Sequence, residues 1–479
     1  MTNLPVDLAA LPPVRVEPDA RRRIREALAG ARRRIAVFDD DPTGSQTVHD
    51  VAVVTVFDPE EIAAGLDGPG STCFILTNTR SMDETDAVAL NTRVGRTVFE
   101  LSRRLDAPVE VISRSDSTLR GHVIAEVTAL DAVRREVLGR GFDGVLLIPA
   151  FLEAGRFTAG DVHWARVGGE PMPVGDTEFA RDATFGFTAS DLREFVAEKS
   201  GGTITPDQVH SLTLDDIRRG GPQRVAEILA GVTDGAFVVV NAVDYADLDV
   251  VVLGLLEPQV AGKAFLYRTG PSFPQPLAGL DPRPPLQASD IWPDGRPGGH
   301  GLVVVGSHVG LTSRQVAVAQ ERGGIAEVEL DVTAVADPSR RDAHVADITA
   351  RVVDALAGSD VLLFTSRTLL RDTDPAASLE IARQVSTAVI TVVRGAVAAG
   401  PAWVVAKGGI TSHDVAVRGL GIRRATILGQ LLPGLVSVFQ PVEALPEVVG
   451  VPYVVFAGNV GDENTLAYVI DLFSGRTAQ

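Results

Sequence analysis

The stretch RIAVFDDDPTGSQT, residues 34–47, decides how the rest of the chain is read. The apolar run Arg34–Phe38 predicts a buried strand, and the acids and hydroxyls after it mark a turn at the strand's carboxyl end. In open α/β sheets that end is where ligands bind. Asp39, Asp40 and Asp41 are therefore candidates for chemistry, although each could instead cap a helix or pair with an arginine.

The same pattern recurs outward along the chain. Further strands are predicted at Val51–Phe57, Thr72–Leu76, Val109–Ile112, Val145–Ile148 and Phe237–Val240. A second series covers Leu302–Val305, Val361–Phe364, Trp403–Ala406, Val436–Phe439 and Tyr453–Phe456. Helical patterns lie between them, at Asp83–Leu105, Leu119–Leu138, Thr312–Arg322, Arg340–Ala357, Pro375–Ala399 and Asp462–Phe473. Alternation of this kind predicts two α/β domains with largely parallel sheets and a ligand cleft between them. Eight prolines fall within residues 271–299, too dense for helix or central strand. The expected organisation is an N-terminal domain over 1–270, a proline-rich linker over 271–299 and a C-terminal domain over 300–479. The Gly-, Phe- and Thr-rich segment 153–189 reads as a long irregular insertion.

Composition narrows the function. The chain has 479 residues, 45% of them hydrophobic, enough for two or three cores. Its formal charge of −18 repels polyanions, so nucleic acid is a poor partner and any phosphate site must be built locally. One cysteine, Cys73, excludes an internal disulfide framework and reads as a core residue within a strand. The N-terminus lacks the pattern of a signal peptide, and no apolar run approaches the ~18 residues of a membrane span. A cytoplasmic protein with no membrane partner is expected. His49, His122, His163 and His413 lack metal-ligand spacing, although His122 and His163 lie in polar segments where a substrate contact is conceivable. Neither a G-x-x-x-x-G-K-[ST] loop nor an early G-x-G-x-x-G is present.

Polar clusters follow nearly every predicted strand. In the first half they are DDDPTGSQT (39–47), TNTRS (77–81), SRSDSTLRGH (113–122) and PAFLEAGR (149–156). They bring Asp39, Asp40, Asp41 and Asp116 together with Arg80, Arg114, Arg120 and Arg156. Guanidinium groups bind carboxylates, and a carboxylate can take a hydroxyl proton, so this rim suits a small polyhydroxy acid. In the second half the runs are GSHVGLTSRQ (306–315), TSR (365–367), KGGITSHD (407–414) and AGNVGDE (457–463). Glycine lets backbone amides approach phosphate oxygens at a helix start, and Lys407 adds a cation in a chain with only three lysines. Two such rims suit an enzyme that joins two substrates.

Together these runs resemble the four-carbon acid sugar kinase family, long called a domain of unknown function. The matching motifs are Asp40-Asp41-Pro42-Thr43-Gly44, Asp116–Gly121, Pro149–Arg156, Gly306–Ser307, Gly408–Thr411 and Gly458–Gly461. The resemblance implies an ATP-dependent kinase that phosphorylates the terminal hydroxyl of a small, four-carbon aldonic or 3-oxo sugar acid. For such a kinase we take Asp41 and Asp40 as the catalytic carboxylates, with Asp41 the general base. Asn78, Arg80, Asp116, Ser117 and Arg120 would bind the acid, with Arg80 and Arg120 anchoring its carboxylate. Ser307, Gly408, Gly409, Ile410, Thr411 and Gly458 would bind ATP, which is expected with Mg²⁺.

Two other readings compete. Asp39-x-Asp41-x-Thr43 also fits a haloacid-dehalogenase-like phosphatase, with Asp39 as nucleophile and Asp41 as acid–base. A sugar-acid or nucleotide sensor without turnover is the third. Scattered Val and Ala on helix faces fit either core or a homodimer interface.

Overall fold

The protein is described by a computed structural model covering residues 7–41, 43–367 and 375–476. Pro42, part of the first motif, lies outside the described residues. The chain divides into two compact units, with the division between Pro282 and Arg283.

Unit 1 is built on an eight-stranded, wholly parallel sheet. Its strands are β1 (Arg34–Asp39), β2 (Val51–Val54), β3 (Thr72–Leu76), β4 (Val109–Arg114) and β5 (Gly144–Ile148), then β9 (His210–Leu212), β10 (Ala236–Val240) and β11 (Phe265–Thr269). Their spatial order is β2-β3-β1-β4-β11-β5-β10-β9. A parallel sheet is covered on both faces, which explains why β1 and β3 have apolar interiors and are buried at every position. Helices Glu84–Leu105 and Val123–Leu138 pack together closely at Gly95, where a Cβ would sit 3.1 Å from Leu130. The chain leaves β1 toward β3 on one side and β4 on the other, so β1 and β4 flank a topological switch point. Asp39 and Arg114 are register partners there.

The segment expected to be an irregular insertion is instead ordered. It forms a three-stranded antiparallel sheet of β6 (Arg156–Ala159), β7 (Val162–Val167) and β8 (Glu170–Pro173). Its glycines serve tight turns, such as Gly160 and Gly168 at positive φ, and Phe157 and Trp164 bury a small core of their own.

Unit 2 carries a seven-stranded mixed sheet. Its strands are β12 (Leu302–Val305), β13 (Ala326–Leu330), β14 (Val361–Thr365), β15 (Val404–Lys407), β16 (Arg424–Leu432), β17 (Val436–Glu443) and β18 (Tyr453–Phe456). The order is β13-β14-β12-β15-β18-β17-β16. The first five are parallel, and β16–β17 and β17–β18 pair antiparallel. Here β12 and β15 flank the switch point, with Val305 opposite Lys407.

Residues 271–299 divide between the two units. Helix Pro274–Leu277 is buried in unit 1, whereas Leu286, Ile291 and Trp292 join the core of unit 2. That core centres on Trp403 and Phe473, with Trp292 edge-on to Phe473 at 5.2 Å. Gly301 leaves room for the Trp403 ring, since a Cβ there would lie 2.0 Å from it. Gly301→Ala is therefore expected to overpack unit 2 and cost about 1–3 kcal/mol. A denaturant melt with an unchanged midpoint would contradict this packing.

Candidate functional site

At the carboxyl ends of β1, β3 and β4, Arg80 joins three acids. It follows Asn78, whose left-handed backbone (φ 52°) turns the chain after β3, and its amide donates to the Asp40 carbonyl at 3.3 Å. Its Nη2 lies 2.7 Å from Asp41 and 3.2 Å from Asp40, and its Nη1 lies 3.7 Å from Asp116. Burial alone would lower its pKa, but those carboxylates override that and raise it. Arg114, buried at the end of β4, reaches Asp39 at 3.1 Å and Asp40 at 3.3 Å. Its guanidinium occupies the place where a Cβ at Gly44 would stand, so the glycine is required by close approach.

The acids differ in kind. Burial pushes Asp39 up to about 7 against the pull of Arg114. Asp40 is raised by burial as well, with Arg80 and Arg114 opposing. Asp41 behaves oppositely: burial would raise it, but Arg80, Arg114 and bonds from Thr43 hold it below the usual range. Asp116 is held down to about 2, because Arg80, Arg120 and Thr118 outweigh burial. Side-chain exposure decides which of them a ligand can reach. Asp41 is 29% exposed, against 3% for Asp40 and 0% for Asp39.

The turn after β4 completes this rim. Arg120 Nε donates to Asp116 at 2.6 Å, and the Ser117 carbonyl accepts from His163 Nε2 at 2.8 Å. Burial lowers His163 to about 4, so it is neutral near pH 7 and ties β7 to the turn. His122 bonds the Met82 carbonyl at 3.0 Å. Sequence reasoning missed Arg268 and Glu126. Arg268 lies on the unpredicted strand β11, pairs with Glu126, and donates to Ser113 at 2.7 Å. A Cβ at Gly121 would meet Arg268 at 3.1 Å and Asp40 at 3.2 Å, so that glycine is required too.

In unit 2 the three glycine turns do converge. A Cβ at Gly458 would lie 2.6 Å from Ser307 Oγ, and one at Gly306 would lie 2.3 Å from Thr411 Oγ1. Gly408 has φ 122° and sits against both Ser307 and Thr411. Thr312 fastens the turns by donating to the Gly458 carbonyl at 2.8 Å, and Arg367 donates to the Ser307 carbonyl at 2.7 Å. Neither was singled out in the sequence as a site residue. Gly409 and Ile410 begin the next helix, with Ile410 69% exposed. Beside the turns lies a cavity of about 220 Å³ reaching Gly306 and Thr411, with Val332, Val385, Val389 and Ile390 as apolar walls.

Lys407 is buried at the end of β15, with Nζ 3.6 Å from the Phe456 ring centre and donating to the Ala457 carbonyl at 3.0 Å.

Unit 1 thus joins a parallel sheet to an acid-and-arginine rim, and unit 2 carries a glycine cradle. Comparison with known proteins places the chain. Residues 35–277 match the model of a sugar-binding N-terminal domain, and residues 302–466 match that of a nucleotide-binding C-terminal domain. The chain belongs to the four-carbon acid sugar kinase family. It is 27% identical over 278 residues to a D-erythronate kinase from Heliobacterium modesticaldum, a match spanning 56% of each chain. Two crystal structures share the fold. One is a domain-of-unknown-function protein from Haemophilus influenzae, with TM-score 0.63, 18% identity, and coverage of 91% of this chain and 100% of that one. The other is a provisionally described tRNA synthase from Salmonella typhimurium, with TM-score 0.67, 16% identity, and coverage of 91% and 98%. Among the described residues no helix is long and apolar enough to cross a membrane.

Burial depresses Lys407 to about 7. A folded-state pKa below the unfolded value means that the unfolded chain binds more protons between about pH 7 and 10.5, so this lysine's cost fades as pH rises through that window. Lys407→Met should therefore be more stable than wild type at pH 7, with the gap narrowing toward pH 10. Urea melts at both pH values check this, and a gap that widens with pH would refute it.

Proposed function

We propose that the protein is an ATP-dependent kinase that transfers the γ-phosphoryl group to the terminal hydroxyl of a small, four-carbon aldonic or 3-oxo sugar acid. The observation that carries this reading is the pairing of an acid-and-arginine rim in the sugar-binding unit with a glycine cradle in the nucleotide-binding unit. The activity named for the Heliobacterium relative agrees with it.

The residues of unit 2 fit a nucleotide. Gly306, Gly408 and Gly458 keep side chains out of the cradle, so backbone amides can approach phosphate oxygens. The apolar cavity beside Thr411 suits an adenine ring, and Arg367 adds a positive charge nearby. ATP is expected with Mg²⁺, which neutralises phosphate charge when bound. Among the described residues no group of three or more His, Cys, Asp or Glu is placed to hold a metal, so phosphate oxygens would be its main ligands.

In unit 1, Asp41 is the carboxylate that both reaches outward and stays ionised. Phosphoryl transfer places little demand on base strength, because its transition state is loose and the hydroxyl proton leaves late. A low-pKa Asp41, fixed by Arg80 and Thr43, suits the work of orienting the hydroxyl and receiving its proton. Asp40 then acts behind it, holding Arg80 and Arg114 in place. Asn78 is half-buried on the same rim and suits a remaining hydroxyl, whereas Ser117 is buried with its carbonyl bonded to His163. Asp39, the nucleophile of a phosphatase reading, is wholly buried against Arg114, which disfavours that chemistry.

The test is ADP release from Mg-ATP with a panel of four-carbon aldonic and 3-oxo acids. Acid-dependent ADP and a phosphorylated terminal carbon are expected, whereas ATP bound without turnover on any acid would contradict the kinase reading. Asp41→Asn should lower kcat by about 10²–10⁴-fold with a smaller change in KM. An Asp41→Asn variant with wild-type kcat would remove Asp41 from the mechanism.

A further inference from the structure

Arg80 and Arg120, the anchors implied for a substrate carboxylate, already carry carboxylates of the chain itself. Arg80 holds three, and Arg120 bonds Asp116 and lies 3.7 Å from Asp182. Arg156 differs. Among the described residues no carboxylate comes within ion-pair distance of its guanidinium, which makes only ring contacts.

Those contacts fix where the group stands. The Arg156 backbone exchanges two hydrogen bonds with Phe151, at 2.9 and 3.0 Å, just after Gly155 turns the chain at φ 67°. The guanidinium carbon lies 5.7 Å from the Phe151 ring centre and 5.6 Å from that of Phe179. Arg120 sits 5.4 Å from the same Phe179 ring, and Arg120 and Asp116 both act electrostatically on Arg156, so the group stands near the Asp116 turn. Aromatic contacts hold a guanidinium by its face and leave its N–H edges free for a planar, two-point acceptor. His163, close enough to feel the charge of Arg156, is neutral near pH 7 and adds no competing charge.

We propose that Arg156 binds the substrate's carboxylate and thereby makes the site select an acid over the neutral polyol of the same length. This rests on the sugar-acid reading above and adds to it the residue that enforces it. The acid's two oxygens meet the N–H edge of Arg156, and its far hydroxyl extends along the rim toward Asp41. Lysine cannot reproduce the fork, so a charge alone does not suffice.

The experiment measures binding of D-erythronate and of erythritol by calorimetry in the full-length wild type, Arg156→Met and Arg156→Lys, with ATP affinity as the control for folding. Arg156→Met is expected to weaken D-erythronate by about 10- to 100-fold, as for loss of a charge-assisted pair. Arg156→Lys should recover part of that loss, and erythritol affinity should stay within about twofold across all three. D-erythronate bound equally well by wild type and Arg156→Met overturns the inference, as does equal weakening of both ligands. Binding is read without turnover, so an acid that binds but is not phosphorylated defeats the kinase reading while Arg156 is still judged. A wild type that binds no acid defeats both.

Discussion

Three carboxylates on one half-buried guanidinium are the constraint around which unit 1 is arranged. Asp40, Asp41 and Asp116 come from two strand ends and repel one another without Arg80 between them. Removing such charges from water costs several kcal/mol each, which attraction recovers only when every partner is in place. The arrangement is thus poor as a source of stability and well suited to fixing geometry. It holds the acids at a set spacing before any ligand arrives, and preorganised charge is worth most where a transition state develops. The approach of Arg114 to Gly44, and of Asp40 and Arg268 to Gly121, extends the same demand to the backbone.

The two units solve one topological problem with opposite chemistry. Each places its site where strand connections diverge, at β1/β4 in one and β12/β15 in the other. In unit 1 the strand ends carry charged side chains that face one another. In unit 2 they carry glycines, and the neighbouring hydroxyls of Ser307, Thr312 and Thr411 close over them. On the proposed reading, charge would meet a hydroxy acid and bare backbone would meet phosphate.

The α/β class was legible because parallel strands buried on both faces read as short apolar runs. β1, β3 and β12 appear with the expected starts for that reason. Strand β13 alternates buried and exposed residues, β16 alternates buried and half-buried ones, and β11 ends in Arg-Thr, so an apolar-run criterion passes over them. Losing β11 hid Arg268, whose side chain runs beneath the acid cluster. The β6–β8 sheet reads as irregular chain in the sequence, because its turns supply glycines. Motif residues at strand ends were recognisable by type and position. Which arginine is already occupied and which stands free was not, since that depends on contacts across strands far apart in sequence.

Calorimetry of D-erythronate binding to Arg80→Met is the most direct test of whether Arg80 organises the acid-and-arginine rim. Affinity for the acid should fall at least about tenfold while ATP binds as in wild type, because the unpaired carboxylates would repel the ligand. An Arg80→Met protein that binds D-erythronate within about twofold of wild type would contradict that role.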